Sequence, residues 1–379
     1  MIFFEPTREA AIMQLELFIE NSLSNYSSKR NYDFGPHYRT NTSCISPYIS
    51  HGVLSENEII KKVLNKYSYS KVEKFIQEIL WRTYWKGWLE RRPSVWDSYE
   101  IQYNELAKCY RDDEIYNNII RSKSNIECMN DWVSELVETG YLHNHTRMVF
   151  ASIWIFTLNL PWQLGAGFFL KHLFDADPAS NTLSWRWVGG LQTKGKHYVA
   201  KNWNIEKFTD YRYANIELNE SPEPLEEKMN HQSIEPVMQN ANYKDFDTLV
   251  IFENTLYPEL IQFINSNFEE LIVVMPIKGD EYDTISNKSL DFKESLIDNF
   301  LSKINISIKK INLQELQHFK DTKLCKIYPQ IGKNLNLLKK FDKKNTQFLY
   351  KKIDIVSNKY CKKGYFAFKK NIHSILKAI

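Results

Sequence analysis

The sequence FDADPASNTLSWRW, residues 174–187, places two aspartates, an asparagine and two tryptophans within one short stretch. In a helix, Asp177 and Asn181 lie four residues apart and can therefore face one ligand. Asp175 can pair with Arg147, which belongs to the upstream segment TGYLHNHTRM. A capped helix junction alone does not require two tryptophans. The stretch therefore indicates the wall of a binding site.

A second segment with hydroxyl side chains is TSCISPYISHG, residues 42–52. Hydroxyl groups before a helix start supply a cap, and the free N–H groups of such a start suit a phosphate. Taken alone, this segment is explained better by a plain N-terminal cap.

A third segment, EILWRTYWKGW at residues 78–88, is rich in indoles. Helical spacing places Glu78, Trp81, Arg82 and Trp85 on one broad face. Indoles beside a carboxylate can hold an unstacked base, since aromatic–base stacking contributes about 1–3 kcal/mol per base. Taken alone, the segment is explained better as a buried aromatic stripe with an internal glutamate–arginine pair.

Together these segments resemble the FAD-binding domain of the DNA photolyase and cryptochrome family. The similar pieces stand in the family's order between Tyr26 and Tyr211, about half of the chain. They are Tyr26 with Arg30 and Asn31, then TSCISPYISHG, EILWRTYW, TGYLHNHTRM and FDADPASNTLSWRW. All the pieces in this order indicate the family more specifically than any one piece alone.

The resemblance implies FAD as the cofactor. By position, the residues that would hold FAD are Tyr26, Thr42, Ser43, Ser46, Asn144, Arg147, Asp175, Asp177 and Asn181, with Thr42, Ser43 and Ser46 at the pyrophosphate and Asn181 at the flavin N5. The residues that would hold a flipped pyrimidine dimer are Glu78, Trp81, Arg82, Met148 and Trp187. Catalysis would depend on Glu78, Asn181, Trp185 and Trp162, the last two as inner and middle members of an electron-hopping chain to the flavin.

The activity that the resemblance implies is light-dependent repair of UV-damaged DNA. Excited reduced FAD would donate an electron to a cyclobutane pyrimidine dimer, the ring would split and the electron would return. The alternatives are a cryptochrome-like blue-light receptor that binds FAD without repair, and a flavin protein without photochemistry. A receptor needs no lesion pocket, so the joint presence of the dimer-binding residues favours repair. His145 leaves a (6-4) photoproduct open as the substrate, because enzymes for that lesion generally rely on histidines.

The sequence departs from the family pattern at several positions. The outer tryptophan of the electron-hopping chain falls at Ile119, with Tyr116 and Trp132 as candidate substitutes. His145 and Ser134 stand where arginines are usual. These changes thin the positive groove and favour single-stranded DNA as the partner. The family's α/β antenna domain, which usually comes first, does not precede the first motif.

The composition is that of a folded protein outside the membrane. The chain has 379 residues, of which 43% are hydrophobic and 25% are charged, enough for two or three domains. No apolar run approaches the roughly 20 residues of a membrane-spanning helix. The start MIFFEPTREA is unlike a secretory signal, so we expect a cytoplasmic protein, with a monomer favoured. The five cysteines are isolated from one another, so we expect no metal site.

The chain divides into three parts that differ in net charge. Residues 1–215 carry 25 basic and 24 acidic side chains, residues 216–322 carry 9 and 20, and residues 323–379 carry 15 and 2. The first part lacks two-residue alternation, which predicts an all-α domain, and the resemblance implies that this is the FAD-binding domain. Residues 216–244 contain three prolines and are predicted to be an acidic linker. The last part is predicted to be a basic helical tail, which either binds DNA through lysines and aromatics or is a solvated face.

Between the linker and the tail, residues 245–322 show a different pattern. Thr248–Phe252, Leu271–Met275 and Ile306–Ile311 are short β-branched runs separated by helical patterns. This alternation predicts a small parallel, Rossmann-like sheet with right-handed crossovers. The domain is either a relocated antenna-like domain or an unrelated α/β module.

Overall fold

The N-terminal part of the chain is helical. The computed structural model describes residues 3–279, 284–319, 322–341 and 347–379. The α-helices of the N-terminal part are α1 Arg8–Asn21, α2 Tyr26–Lys29, α3 Ser46–Ser50, α4 Glu56–Lys66, α5 Tyr69–Glu90, α6 Ser94–Cys109, α7 Glu114–Ile120, α8 Glu127–Thr139, α9 Asn144–Ser152, α10 Trp162–His172, α11 Pro178–Gly189 and α12 Asn202–Phe208. The described residues up to position 215 contain no strand, so the prediction of an all-α part is confirmed.

Helix α5 is the long helix around which the other elements are arranged. It spans 22 residues and follows α4 after a break at Tyr67 and Ser68. The Ser55 hydroxyl caps α4 by accepting a hydrogen bond from the Glu58 amide at 3.2 Å. Apolar residues at spacings of three and four give α5 a buried side. They include Val72, Phe75, Ile76, Ile79 and Leu80.

Two glycines lie at the C-terminal ends of α8 and α11. Helix α8 ends at Gly140 and α11 at Gly190, with φ angles of 67° and 86° that favour glycine. A Cβ on Gly140 would lie 2.3 Å from the ring of Phe174. The Phe174 amide also donates to the Gly140 carbonyl at 2.8 Å. The start of α9 is therefore held next to the stretch that precedes α11.

The C-terminal part contains a parallel sheet. Its elements are β1 Thr248–Phe252, α13 Glu259–Asn267, β2 Glu270–Val274, α14 Asn287–Leu301, β3 Ser307–Ile311, β4 Leu324–Ile327, α15 Lys333–Phe341, β5 Phe348–Leu349, α16 Lys352–Asn358, α17 Tyr365–Lys369 and α18 Ile372–Ala378. The described strands form a five-stranded sheet in the order β3-β2-β1-β4-β5, and all the pairs are parallel. The order reverses beside β1, as in a Rossmann-like fold, so the predicted fold class is confirmed.

The predicted boundary between sheet and tail is wrong in one respect. Residues 323–379 were expected to be helical, yet they supply β4 and β5. Both strands are too short for a two-residue period to show. Lys326 also makes β4 hard to recognise in the sequence, because a lysine is not expected inside a buried strand. Here it is only 1% exposed in a strand that is buried throughout.

The segment 216–244 has no strand and only the start of a short turn at Tyr243–Asp245. It is nevertheless held along the helical part by ion pairs. Glu227 pairs with Arg186 at 2.6 Å, and Glu235 pairs with Arg91 at 2.7 Å. Arginines of the helical part thus balance negative charges of this segment.

The sheet packs directly on the helical part. Phe292 of α14 stacks on Phe174, with ring centroids 4.5 Å apart and planes at 4°. At the carboxyl end of β1, the Leu256 amide donates to the His51 carbonyl at 3.0 Å. A Cβ on Gly52 would lie 2.5 Å from the ring of Tyr257. The edge of the sheet where Rossmann-like folds bind ligands is therefore packed against protein here.

No helix among the described residues is both long and apolar enough to cross a membrane.

A buried ion pair joins the two parts of the chain. Lys351, which precedes α16, lies 2.6 Å from Glu56 at the start of α4. Burial raises the pKa of Glu56, but the Lys351 and Lys86 cations outweigh it and hold the pKa at about 2.

Replacing Lys351 by methionine should lower the free energy of unfolding by about 3–5 kcal/mol, because Glu56 loses its hydrogen-bonded cation while buried. Guanidinium denaturation at pH 7 measures this loss. The double variant Glu56→Gln/Lys351→Met should recover part of it, and a loss below about 1 kcal/mol for the single variant would contradict the assignment.

The same pair should give a pH dependence. The folded pKa of Glu56 lies below its ordinary value of 4.5. Its contribution to stability is therefore complete above that value and is lost as the pH falls towards 2. The difference in unfolding free energy between the native protein and Lys351→Met should shrink over the same interval.

Candidate functional site

A cavity of about 470 Å³ opens among α2, α3, α5, α9 and α11. Its volume is within the range of cofactor sites. It brings together nearly all of the residues singled out in the sequence. They are Tyr26, Thr42, Ser43, Ser46, Glu78, Trp81, Arg82, Asn144, Arg147, Met148, Asp175, Asp177, Asn181, Trp185 and Trp187. Trp162 does not border the cavity; it is buried and lies against Tyr99, with ring centroids 5.6 Å apart.

Asp175 connects two walls of the cavity. Its carboxylate accepts two hydrogen bonds from the Arg147 guanidinium, at 3.0 and 2.9 Å, and one from the Ser46 hydroxyl. Burial raises the pKa of Asp175, but Arg147 and Ser46 outweigh it and hold the pKa below its ordinary value. The pairing of Asp175 with Arg147 that the sequence predicts is therefore present, and the aspartate is ionised.

Asp177 connects α11 to α5. Its carboxylate caps α11 by accepting from the Ser180 amide at 2.6 Å. Lys86 and Arg82 of α5 lie 3.4 and 3.6 Å from the same carboxylate. Burial raises the pKa of Asp177, but these cations lower it below its ordinary value. The start of α11 is thereby fixed against the wall that carries the indoles.

Asn181 has a fixed side chain. Its Nδ2 donates to the Ala166 carbonyl at 2.9 Å, and the residue is 9% exposed. This hydrogen bond orients the amide and leaves one N–H and the carbonyl oxygen for a ligand.

Two tryptophans of the cavity are each backed by a tyrosine. The Trp81 ring stacks on Tyr365 of α17, with centroids 3.4 Å apart and planes at 10°. Trp187 stacks on Tyr198, at 5.9 Å and 27°. Each indole therefore has its plane fixed and one face covered by protein.

The internal glutamate–arginine pair considered for α5 does not form. Glu78 instead pairs with Arg30 of the first motif at 2.6 Å, and Arg82 pairs with Asp177. Burial raises the pKa of Glu78, although Arg30 and Lys74 lower it. This face of α5 thus borders the cavity, and its charges are balanced by residues of other elements.

Aromatic residues behind the cavity connect Trp185 to Tyr116 through ring contacts. Trp185 is 2% exposed and lies against Trp154, with ring centroids 6.2 Å apart. Trp154 in turn contacts Tyr116 at 5.9 Å. Of the two candidate substitutes for the outer tryptophan, Tyr116 is therefore connected to Trp185 by ring contacts with Trp154. The other candidate, Trp132, contacts Tyr213 instead.

Sequence reasoning missed several cavity partners. Lys86 could have been found, because it continues the four-residue spacing of Glu78 and Arg82 on α5. Arg30 was noted as part of a motif but had no assigned role. Tyr365 gave no local signal, since its hydroxyl contacts a residue 288 positions earlier.

Comparison with known proteins identifies the helical part. Residues 75–217 match the family model for the FAD binding domain of DNA photolyase. These residues form an FAD-binding domain of the DNA photolyase family. The resemblance seen in the motifs is confirmed, and FAD is the cofactor of this domain.

Three similar proteins illustrate the extent of the match. A deoxyribodipyrimidine photo-lyase of Alkalihalophilus pseudofirmus is 31% identical over 193 residues, which cover 50% of this chain and 39% of the relative. A bacterial class III photolyase from Agrobacterium tumefaciens is 26% identical with a TM-score of 0.45, covering 53% of this chain and 42% of the other. A cryptochrome of Synechocystis sp. is 21% identical with a TM-score of 0.48, covering 55% and 44%. The matched region spans less than half the length of each.

The residues of the cavity fit FAD. Arg82 Nη1 and Ser180 Oγ are buried at its border without a hydrogen-bond partner among the described residues. A buried donor without a partner is costly. A polar, anionic cofactor with a diphosphate supplies the acceptors that such donors require.

Replacing Asp177 by asparagine keeps a capping oxygen but removes the charge that balances Lys86 and Arg82. Removing one partner of a buried ion pair lowers the stability of the folded state by about 3–5 kcal/mol, so we expect the contact between α5 and α11 to be disturbed and FAD occupancy at limiting FAD to fall. The ratio of flavin to protein absorbance after purification measures it. The exposed Asp112→Asn is the matched control, and full occupancy in Asp177→Asn would contradict the role assigned to this aspartate.

Proposed function

We propose that this protein is a light-dependent photolyase that splits cyclobutane pyrimidine dimers in UV-damaged DNA. The observation that carries the proposal is that the residues assigned to FAD and those assigned to the dimer border one cavity. Electron transfer between flavin and dimer requires them to be close. When bound, reduced FAD supplies an electron on excitation by light.

The dimer-binding side is suited to an extruded base. Trp81 and Trp187 have planes fixed by Tyr365 and Tyr198, so both indoles are preorganised for stacking. A damaged base is less costly to unstack than a normal one. Two fixed aromatic faces offer apolar contact to the two pyrimidine rings of such a dimer.

Glu78 supplies the polar contact on this side. Its raised pKa brings the carboxyl group closer to the protonated form, which can donate a hydrogen bond to a pyrimidine carbonyl. Arg30, 2.6 Å away, can take the charge of a neighbouring phosphate when Glu78 turns to the lesion.

His145 supports a cyclobutane dimer over a (6-4) photoproduct. The residue is 8% exposed, packs on Phe208 and does not border the cavity. Burial lowers the pKa of His145 to about 4, so it is neutral near pH 7. A buried neutral histidine outside the cavity is poorly placed to donate a proton to a lesion.

The remaining assignments belong to the same proposal. We propose single-stranded DNA as the preferred partner, because Ser134, which stands where an arginine is usual, contacts Ser122 and offers no cation. A cytoplasmic monomer fits this role. The Rossmann-like sheet order supports a relocated antenna-like domain, with residues 216–244 as the connection between the two domains.

The test is illumination of the purified protein with reduced FAD and an oligonucleotide that contains one thymine dimer. We expect light-dependent restoration of undamaged thymines, measured by chromatography, and no restoration in the dark. Bound FAD without repair of single- or double-stranded substrate would contradict the proposal and favour the blue-light receptor.

Replacing Glu78 by alanine should weaken binding of the dimer-containing strand relative to the undamaged strand. A single hydrogen bond contributes about 0.5–1.5 kcal/mol, so we expect a loss of roughly two- to tenfold. Fluorescence anisotropy measures it at fixed salt, with Glu105→Ala on the exposed side of α6 as the control. Equal discrimination in the Glu78 variant would contradict its contact with the lesion.

A further inference from the structure

The C-terminal residues 359–379 are packed against α5 beside the cavity. The Tyr84 hydroxyl donates to the Lys363 carbonyl at 3.0 Å. A Cβ on Gly87 would lie 2.5 Å from the Cys361 sulfur, so the two segments touch closely. Phe368 of α17 is 0% exposed. The segment is therefore packed closely against the helix that borders the cavity.

Tyr365 attaches this segment to the dimer-binding side. Its ring covers one face of Trp81, and its hydroxyl donates to the Gln77 carbonyl of α5 at 2.9 Å. Trp81 also borders the cavity. The residues that follow Tyr365 along α17 are consequently close in the chain to the tyrosine that covers this indole.

Phe366 follows Tyr365 in α17, and packing of the folded chain does not explain why its side chain is exposed. Its side chain is 82% exposed, whereas Tyr365 and Phe368 on the same short helix are 7% and 0% exposed. Its Cα lies about 3.8 Å from that of Tyr365. A large apolar ring is thus presented to solvent on the residue adjacent to the tyrosine that stacks on Trp81.

The charge around Phe366 is positive. Residues 359–379 contain six lysines and no acidic residue. Lys362 and Lys369 lie 3.3 Å from Glu235 and Glu73 respectively. Lys363 and Lys370 are exposed and belong to no ion pair among the described residues.

We infer that Phe366, Lys363 and Lys370 form a contact surface for the DNA strand beside the extruded nucleotide. Phe366 stacks on a neighbouring base and the two lysines contact the flanking phosphates. An exposed aromatic ring among unpaired lysines is the combination with which proteins bind single-stranded nucleic acids. The inference rests on the proposed function and adds to it a site for the strand outside the cavity.

Replacing Phe366 by alanine tests the stacking contact in the full-length protein loaded with FAD. The probe is a fluorescein-labelled single-stranded oligonucleotide with one thymine dimer, and anisotropy gives its affinity. Loss of one stacked base should weaken binding about tenfold, while Phe366→Trp should retain it. Phe3→Ala is the matched control, because Phe3 is similarly exposed at 81%. Unchanged FAD absorbance shows that the cavity is intact.

Replacing Lys363 and Lys370 together by alanine tests the phosphate contacts. Two phosphate contacts on a single strand contribute about 1.4 to the slope of log affinity against log salt. We expect the slope to fall by about that amount, with little change in the preference for damaged over undamaged strands.

The outcomes separate this inference from the proposed function. If the native protein binds and repairs the strand and Phe366→Ala matches the native affinity, the contact surface is wrong and the photolyase assignment stands. If the native protein binds FAD but no DNA, both fail. A protein partner on this surface would also leave the DNA affinity of Phe366→Ala and the salt slope of the lysine variant unchanged.

Discussion

Two buried carboxylates at the start of α11 determine how the cavity is built. Asp175 and Asp177 are 5% and 7% exposed, and a buried charge is tolerated only when it is paired and hydrogen-bonded. Asp175 satisfies this requirement through α9 and α3, and Asp177 through α5 and the first turn of α11. The walls formed by α3, α5, α9 and α11 are therefore positioned by the same need to neutralise two negative charges. A cofactor that enters the cavity meets cations whose positions are already fixed.

The C-terminal half of the chain takes part in this arrangement. Lys351 neutralises Glu56, and Tyr365 fixes the plane of Trp81. Helix α5 joins these contacts to the cavity, because one side of it faces the aspartates and another side faces the residues that follow β5. Helix α5 thus packs against both the helical part and the α/β part, and it also borders the candidate site. We expect disturbances in the last residues of the chain to reach the cavity through α5.

The sequence predicts those features that depend on local spacing. The bounds of β1 follow from a run of β-branched residues, and the pairing of Asp175 with Arg147 follows from the charged residues of two motifs. Contacts between distant segments have no such signal, since a helical face shows which residues lie together but not what they meet. Glu78 was assigned to the correct face, yet its partner Arg30 lies 48 positions away. The strands β4 and β5 were missed because four and two residues are too few to show a period, and because a lysine lies in β4.

The contact between Tyr365 and α5 has a consequence for how the protein is made. The Tyr365 hydroxyl and its acceptor at Gln77 are separated by 288 positions. At a synthesis rate of 5–20 residues per second, the ribosome needs about 15 to 60 seconds to travel between them. During that interval the indole-bearing side of α5 has formed but its partner does not yet exist, so Trp81 and its apolar neighbours remain open to other chains. Folding of this wall is thus completed late, and a chaperone that covers α5 would act within that interval.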